Sequence, residues 1–420
     1  MLMDEMEIEG MEKKAKVPKL RFPGFTGEWE ERKLGEIAEF SKGNGYSKDD
    51  LVDFGTPIIL YGRMYTKYQI QINDVDTFVN ETKNSVYSTG LEVIVPASGE
   101  TAEDIAIASA VMKPGIILGG DINIIYPVSR LNSVFLALQI SGGKAKREMS
   151  KRAQGKSIVH LHNADLREVA ISIPEVVEQE KISRFFYSID KLIMLQQCKL
   201  AHLQAQKKCL LQKMFPKKGE RFPELRFPGF TDDWEQKKLG ELCDNTYGGG
   251  TPKTTVLDFW NGTIPWIQSS DLSEGNVLEV SPNKFVSDIG LQKSATKLVP
   301  ANSIMIVTRV GVGKLALMPY EYTTSQDFLS LSDLNIDGLF GVYSLYRKLQ
   351  QEKNMVQGTS IKGITKEELL NKCVDVPVQI NEQKKIGIFL KNLDKLITLH
   401  ERELAHLQTQ KKALLQQMFV

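Results

Sequence analysis

Between Gln179 and Phe215 the chain contains no Gly or Pro, and Pro174 and Pro216 punctuate the two ends. That pattern predicts one long helix. Within it Ile182, Ile189, Gln196, Leu203 and Leu210 recur every seven residues. Phe186, Ile193, Leu200, Lys207 and Met214 form a parallel row four residues later. Two such rows make a helix–helix seam of the coiled-coil kind. A second stretch repeats both: Ile386, Leu393, His400, Leu407, Leu414, and Leu390, Ile397, Leu404, Lys411, Met418. Even the polar interruptions match, Gln196 with His400 and Lys207 with Lys411. About 37 residues at ~1.5 Å each give a rod of roughly 55 Å.

The repetition extends beyond the helices. Leu20–Leu34 reads LRFPGFTGEWEERKL and Leu225–Leu239 reads LRFPGFTDDWEQKKL. Gln154-Gly155 with Ser157-Ile158 recurs as Gln357-Gly358 with Ser360-Ile361, and Asp190–Ile193 recurs as Asp394–Ile397. A domain-sized period of this kind means duplication of one unit, not a solenoid. Before each helix lie short apolar runs broken by Gly, Pro and Asn, such as Thr56–Leu60, Leu91–Val95, Ile116–Leu118 and Ile122–Tyr126. These predict strands; helices are expected near Ser133–Gln139 and Leu339–Lys353.

The expected fold class is therefore α+β (mixed α/β), with two similar globular domains separated by two long helices. Residues 1–17 read as a flexible tail, 18–177 as the first domain and 178–216 as the first coiled-coil helix. Residues 217–224 read as a linker, 225–380 as the second domain and 381–420 as the second helix. If the two helices pair with each other, chain order makes them antiparallel, related by an internal pseudo-twofold with the domains at opposite ends, like a caliper. The repeated parts are framework, whereas the domain interiors diverge. Val93–Ala108 reads VIVPASGETAEDIAIA where Ser303–Met318 reads SIMIVTRVGVGKLALM. Similar scaffolds with unlike interiors suggest two reading heads with different targets. A homodimer would give identical heads and a palindromic site; one duplicated chain gives an asymmetric one.

Composition narrows the class. Apolar residues make up 42% and charged residues 25%, an ordinary globular balance. No apolar run approaches the ~18 residues of a membrane helix, and Met1–Lys16 has no apolar core for a signal peptide. The four cysteines (Cys198, Cys209, Cys243, Cys373) form no CxxC pair, against a disulfide framework or zinc ribbon. A cytoplasmic protein without membrane contact is expected. A net charge of +1 is uninformative, so any electrostatic argument must be local.

The paired LRFPGF-x3-W-x3-KLGE motifs resemble those of the specificity subunit of type I restriction–modification enzymes. So do the Ile264-Pro265-Trp266 run, the exit segments around Ile173-Pro174, Glu178-Gln179, Val376-Pro377 and Glu382-Gln383, and the two helices. The resemblance covers about Pro18 to Val420. It implies that the globular domains are target-recognition domains, each reading one half of a bipartite site in double-stranded DNA. It also implies that the helices set the spacer and dock two methyltransferase (modification) subunits, which restriction (translocase/nuclease) subunits then join. On this reading the chain is a non-catalytic subunit that binds no cofactor itself. S-adenosylmethionine would belong to the modification subunits, and ATP and Mg to the restriction subunits. The first unit has Thr56-Pro57-Ile58-Ile59 in place of Ile264-Pro265-Trp266-Ile267, so its base-contacting loop cannot be transferred from the second.

The residues agree with a chain that does no chemistry. No Pro-Pro dipeptide of an adenine methyltransferase motif occurs. The nearest P-loop candidate, Thr308–Leu315, lacks the first Gly and the Ser/Thr. His160 and His162 read as a surface loop and His202 and His406 as helix surface. Tyr247–Thr251 reads as a turn, either flexible at the DNA face or purely structural. Candidate DNA contacts are Arg63 and Lys67 in the first head, and Ser269, Ser270, Arg309, Lys314 and Gln326 in the second. The cluster Lys144, Lys146, Arg147, Lys151, Arg152 and Lys156, opposed by Glu148, reads as a phosphate-tracking or a solvated face. Arg347, Lys348, Lys353 and Lys362 are its counterparts. Phe22, Phe25, Trp29, Phe227, Phe230 and Trp234 are expected to be packing anchors. The first long helix carries nine basic residues against two acidic between Gln179 and Lys218, facing either DNA or an acidic partner. The alternative function is a coiled-coil scaffold with no DNA specificity.

Overall fold

A computed structural model describes residues 17–155, 157–355 and 363–419. Residues 1–16 of the expected tail, Lys156, Lys362 and the repeated Gln357–Ile361 segment lie outside the described residues. The chain divides into two compact units, Met1–Gln197 with Glu403–Val420, and Cys198–Arg402.

In the first unit the runs expected to be strands form a mixed sheet in the order Ala38–Lys42, Ile122–Pro127, Val93–Pro96, Ser109–Val111, Gln71–Ile72. All its pairs are antiparallel except the last. The strand Val93–Pro96 is buried throughout, which is why it reads as an uninterrupted apolar run. A four-stranded sheet, containing Thr56–Ile59, packs beside it. The helix Ser133–Ser141 starts where the Asn132 side chain accepts from Phe135 N, and it is buried from Ser133 to Ile140.

The second unit is built on a four-stranded antiparallel sheet, Cys243–Gly248, Phe328–Leu334, Ser303–Val307, Leu315–Met318. A three-stranded sheet centred on Ile264–Ile267 adjoins it. The helix Gly338–Met355 occupies the stretch expected to be helical.

The repeated motifs become the same clamp in each unit. Glu30–Lys33 pairs antiparallel with Ala170–Ile173, and Glu235–Lys238 pairs with Cys373–Val376. Beside each clamp the motif arginine makes a forked ion pair with the exit glutamate. Arg21 donates to both oxygens of Glu178 at 2.7 and 2.7 Å, and Arg226 to Glu382 at 2.7 and 2.9 Å. The glutamine that follows pins the head: Gln179 accepts from Asn132 N, and Gln383 from Asp337 N. The recurring aromatics pack as expected, with Trp29 against Phe135 and Phe419, and Trp234 against Phe215 and Phe340.

The long helices span Val176–Lys213 and Ile380–Met418. In the first unit Asp190 meets Lys411 and Gln196 meets Glu403; in the second, Lys207 meets Asp394 and Gln204 meets Glu401. Partner numbers fall as the others rise, so the pairing is antiparallel within each unit. Every apolar position of the expected seam is buried or half-buried. Its ends do more than pair helices. Ile182 and Phe186 share a core with Trp29, Phe135, Met418 and Phe419. In the second unit Ile386 and Leu390 share one with Trp234, Phe340, Met214 and Phe215.

Candidate nucleic-acid interface

Sheet register decides which loops of the second unit meet. Gly248 lies opposite Leu329, Val307 opposite Phe328 and Ile306 opposite Leu315. The turns after Gly248, after Val307 and before Phe328 therefore emerge at one end of one sheet. Ser269 and Ser270 join them, because Ser325 N donates to Ile267 O at 2.9 Å and ties the two sheets together. All five side chains chosen in the second head (Ser269, Ser270, Arg309, Lys314, Gln326) belong to this cluster of loops.

Their roles differ. Lys314 donates to the carbonyls of Ser269 and Leu272, at 3.2 and 2.8 Å. Its ammonium holds the short turn Ser269–Asp271 against the hairpin, so Lys314 is framework and not the free cation its position in sequence suggested. Gln326 is exposed; its Oε1 accepts from the Thr251 hydroxyl at 2.6 Å, leaving its amide hydrogens to donate elsewhere. Arg309 is exposed at the tip of the hairpin. The P-loop-like run Thr308–Leu315 is the turn of that hairpin, between antiparallel strands, with no helix following. Two of the three glycines of Tyr247–Thr251 are explained by crowding, and Gly248 has open space around it. A Cβ on Gly249 would lie 1.9 Å from Ser325 O and one on Gly250 2.5 Å from Ala295 O. This crowding gives Gly249 and Gly250 a structural reason.

In the first head both chosen cations are ion-paired. Arg63 and Lys67 both pair with Asp76, at 2.6 and 2.5 Å, and the Arg63 side chain is only 9% exposed. Arg63 also donates to Gln69. These ion pairs tie down the loop that follows Thr56–Ile59, while the Lys67 side chain stays 54% exposed. Tyr61, Tyr65 and His160 are exposed in this head. Tyr65 donates to Ser98 O, and His160 lies 3.2 Å from Ser98 Oγ, at the end of Val93–Pro96 that corresponds to the Arg309 hairpin. Tyr61 follows Thr56–Ile59 as Ser269 follows Ile264–Ile267.

The basic cluster lies on the helix Gly143–Arg152, which buries Ala145 and Met149. Lys144 pairs with Glu31 and Arg152 donates to Glu168 O. Lys146 is half-buried, whereas Arg147 and Lys151 are exposed and have no ion pair among the described residues. Their counterparts are engaged. Arg347 donates to Pro216 O, and burial pushes its pKa down; Lys353 pairs with Glu274 and Lys348 approaches Glu352.

Two heads built on one plan, each ending in a loop cluster of different chemistry, define a duplicated recognition chain. The family model described as type I restriction modification DNA specificity domain matches residues 26–205 and again 231–409. The chain belongs to this family. It is 33% identical over 172 residues to the type I restriction enzyme EcoR124I/EcoR124II specificity subunit of Escherichia coli, an alignment covering 39% of this chain and 41% of that relative. The chain thus spans about two fifths of that relative's length. It is 22% identical to the MjaVIII specificity subunit of Methanocaldococcus jannaschii over 408 residues, covering 92% and 91% of the two chains. Its fold is similar to the crystal structure of a type I restriction–modification S subunit from M. genitalium, with a TM-score of 0.64, 14% identity and 96% and 99% coverage. Among the described residues no helix is long and apolar enough to cross a membrane.

Proposed function

We propose that the chain is the non-catalytic, cytoplasmic DNA sequence-specificity subunit of a type I restriction–modification complex. Each head reads one half of an asymmetric bipartite site, and the paired helices set the spacer. The observation that carries this reading is the contrast between repeated framework and unrepeated loops. Clamp, ion pair and aromatic anchors recur, while the exposed loop residues differ, Arg309, Ser270 and Gln326 in one head and Tyr61, Tyr65 and His160 in the other.

The helices also present a repeated apolar pair to solvent. Leu192 and Leu195 are 51% and 50% exposed, and Leu396 and Leu399 46% and 53%. Two copies of one exposed patch suit two copies of one partner, and we assign them to two modification subunits, with restriction subunits joining that core. S-adenosylmethionine would then be bound by the modification subunits, and ATP and Mg by the restriction subunits. The test is to express the chain with its modification subunits and sequence the methylated adenines of the host. An asymmetric bipartite motif is expected. Absence of such a motif, or methyl transfer from S-adenosylmethionine by the isolated chain, rejects the reading.

A further inference from the structure

The loop cluster of the second head combines a fixed frame with a presented tip. Thr308 donates to Asp327 O through both its amide and its hydroxyl, at 2.7 and 3.0 Å. Ile364 N donates to Thr308 O at 2.7 Å, and Lys314 ties the far arm of the hairpin to the Ser269 turn. Gly311 and Gly313 reverse the chain at φ +89° and +96°, a conformation that side chains with a Cβ avoid. On this frame Arg309 is exposed, with no hydrogen-bond or ion-pair partner among the described residues, and Val310 beside it is 70% exposed.

A guanidinium on a fixed backbone loses less freedom on binding than one on a loose loop. Its planar fork matches O6 and N7 of guanine in the major groove, and an apolar neighbour matches the C5 methyl of thymine. A phosphate contact would gain nothing from an exposed valine, because phosphate contacts position the protein without reading bases. We propose that Arg309 is the specificity-determining residue of the second head and reads a guanine in its half-site, with Val310 packed against the adjacent base edge. This rests on the chain acting as a DNA specificity subunit.

The experiment uses the full chain in complex with its modification subunits and reads the methylated motif by sequencing. In Arg309→Ala one guanine of one half-site should become degenerate, with discrimination there falling roughly 5- to 150-fold. The other half-site and the spacer should not change. Arg309→Gln should shift that position toward adenine, which glutamine pairs bidentately. Melting temperatures equal to wild type confirm that both variants are folded. An unaltered motif in both variants, or methylation that falls evenly at every site, overturns the assignment and leaves the specificity reading standing. A wild-type complex that methylates no bipartite motif removes the specificity reading, and this assignment with it.

Discussion

Arg21 and Glu178 are 157 residues apart in sequence, yet they form one forked, charge-assisted pair whose glutamate is fully buried. Arg226 and Glu382 repeat it. Removing one partner of such a pair leaves an uncompensated buried charge, at a cost of about 3–5 kcal/mol. Arg21→Ala should lose about that much in urea denaturation, and Arg21→Ala with Glu178→Ala should recover part of it; a double variant that loses the sum of the two singles would show that the pair is not coupled. Asp76 gives the opposite, exposed case. Hydrogen bonds from Lys67, then Arg63, hold its carboxyl well below the usual carboxylate range. As pH falls the unfolded chain takes up this proton first, so the contribution is complete above about pH 4 and is lost below it. The melting-temperature gap between wild type and Asp76→Asn should be constant from pH 8 to 5 and narrow below pH 4. A gap that persists undiminished to pH 3 would reject the linkage. The sequence made the framework legible here but not these partners. It showed Arg63 and Lys67 as cations on a loop, and nothing in it indicated that Asp76 returns to neutralise both.

At the scale of elements, the seam was the most legible feature, because a period of seven survives any uncertainty about its surroundings. Two things stayed hidden. The lysines that interrupt it are ion-paired, Lys411 with Asp190 and Lys207 with Asp394. In addition, the helix ends, Met214-Phe215 and Met418-Phe419, are pieces of head cores; periodicity cannot tell a coil position from a core position. The ion pairs are also not equivalent. Tyr343 donates to Asp394, whereas Asp190 Oδ2 is buried without a hydrogen-bond partner among the described residues, and burial raises that carboxyl's pKa. Reversing one charge, by Asp190→Lys or by Lys411→Asp, should place like charges together and lower the melting temperature. The double reversal should restore most of that loss. A double variant no better than the sum of the two singles would show that the pair does not couple the helices.

At the scale of the molecule, duplication makes each half a template for the other. Consider a fragment ending at Lys218. It loses Met418 and Phe419 from the core of Trp29, Phe135 and Phe186, and it loses Lys411 from Asp190. It keeps the counterparts of all three: Met214, Phe215 and Lys207. A second copy laid antiparallel returns Met214 and Phe215 to that core and Lys207 to Asp190, twice over by symmetry. A lone copy would leave Ile182, Phe186, Ile189, Ile193, Leu200, Leu203, Leu210 and Met214 facing water, the kind of exposed apolar face that drives association. The fragment should therefore be a dimer at micromolar concentration, and Lys207→Asp should break it into monomers while Lys207→Asp with Asp190→Lys restores it. The two heads of such a dimer are identical and related by a true twofold, so with modification subunits it should methylate an inverted repeat of the first half-site. No guanine requirement traceable to Arg309 should remain, since the second head is gone. A monomeric fragment by analytical ultracentrifugation would refute the exchange of seam partners, and an asymmetric methylated motif from a dimer would refute the assignment of one head to one half-site.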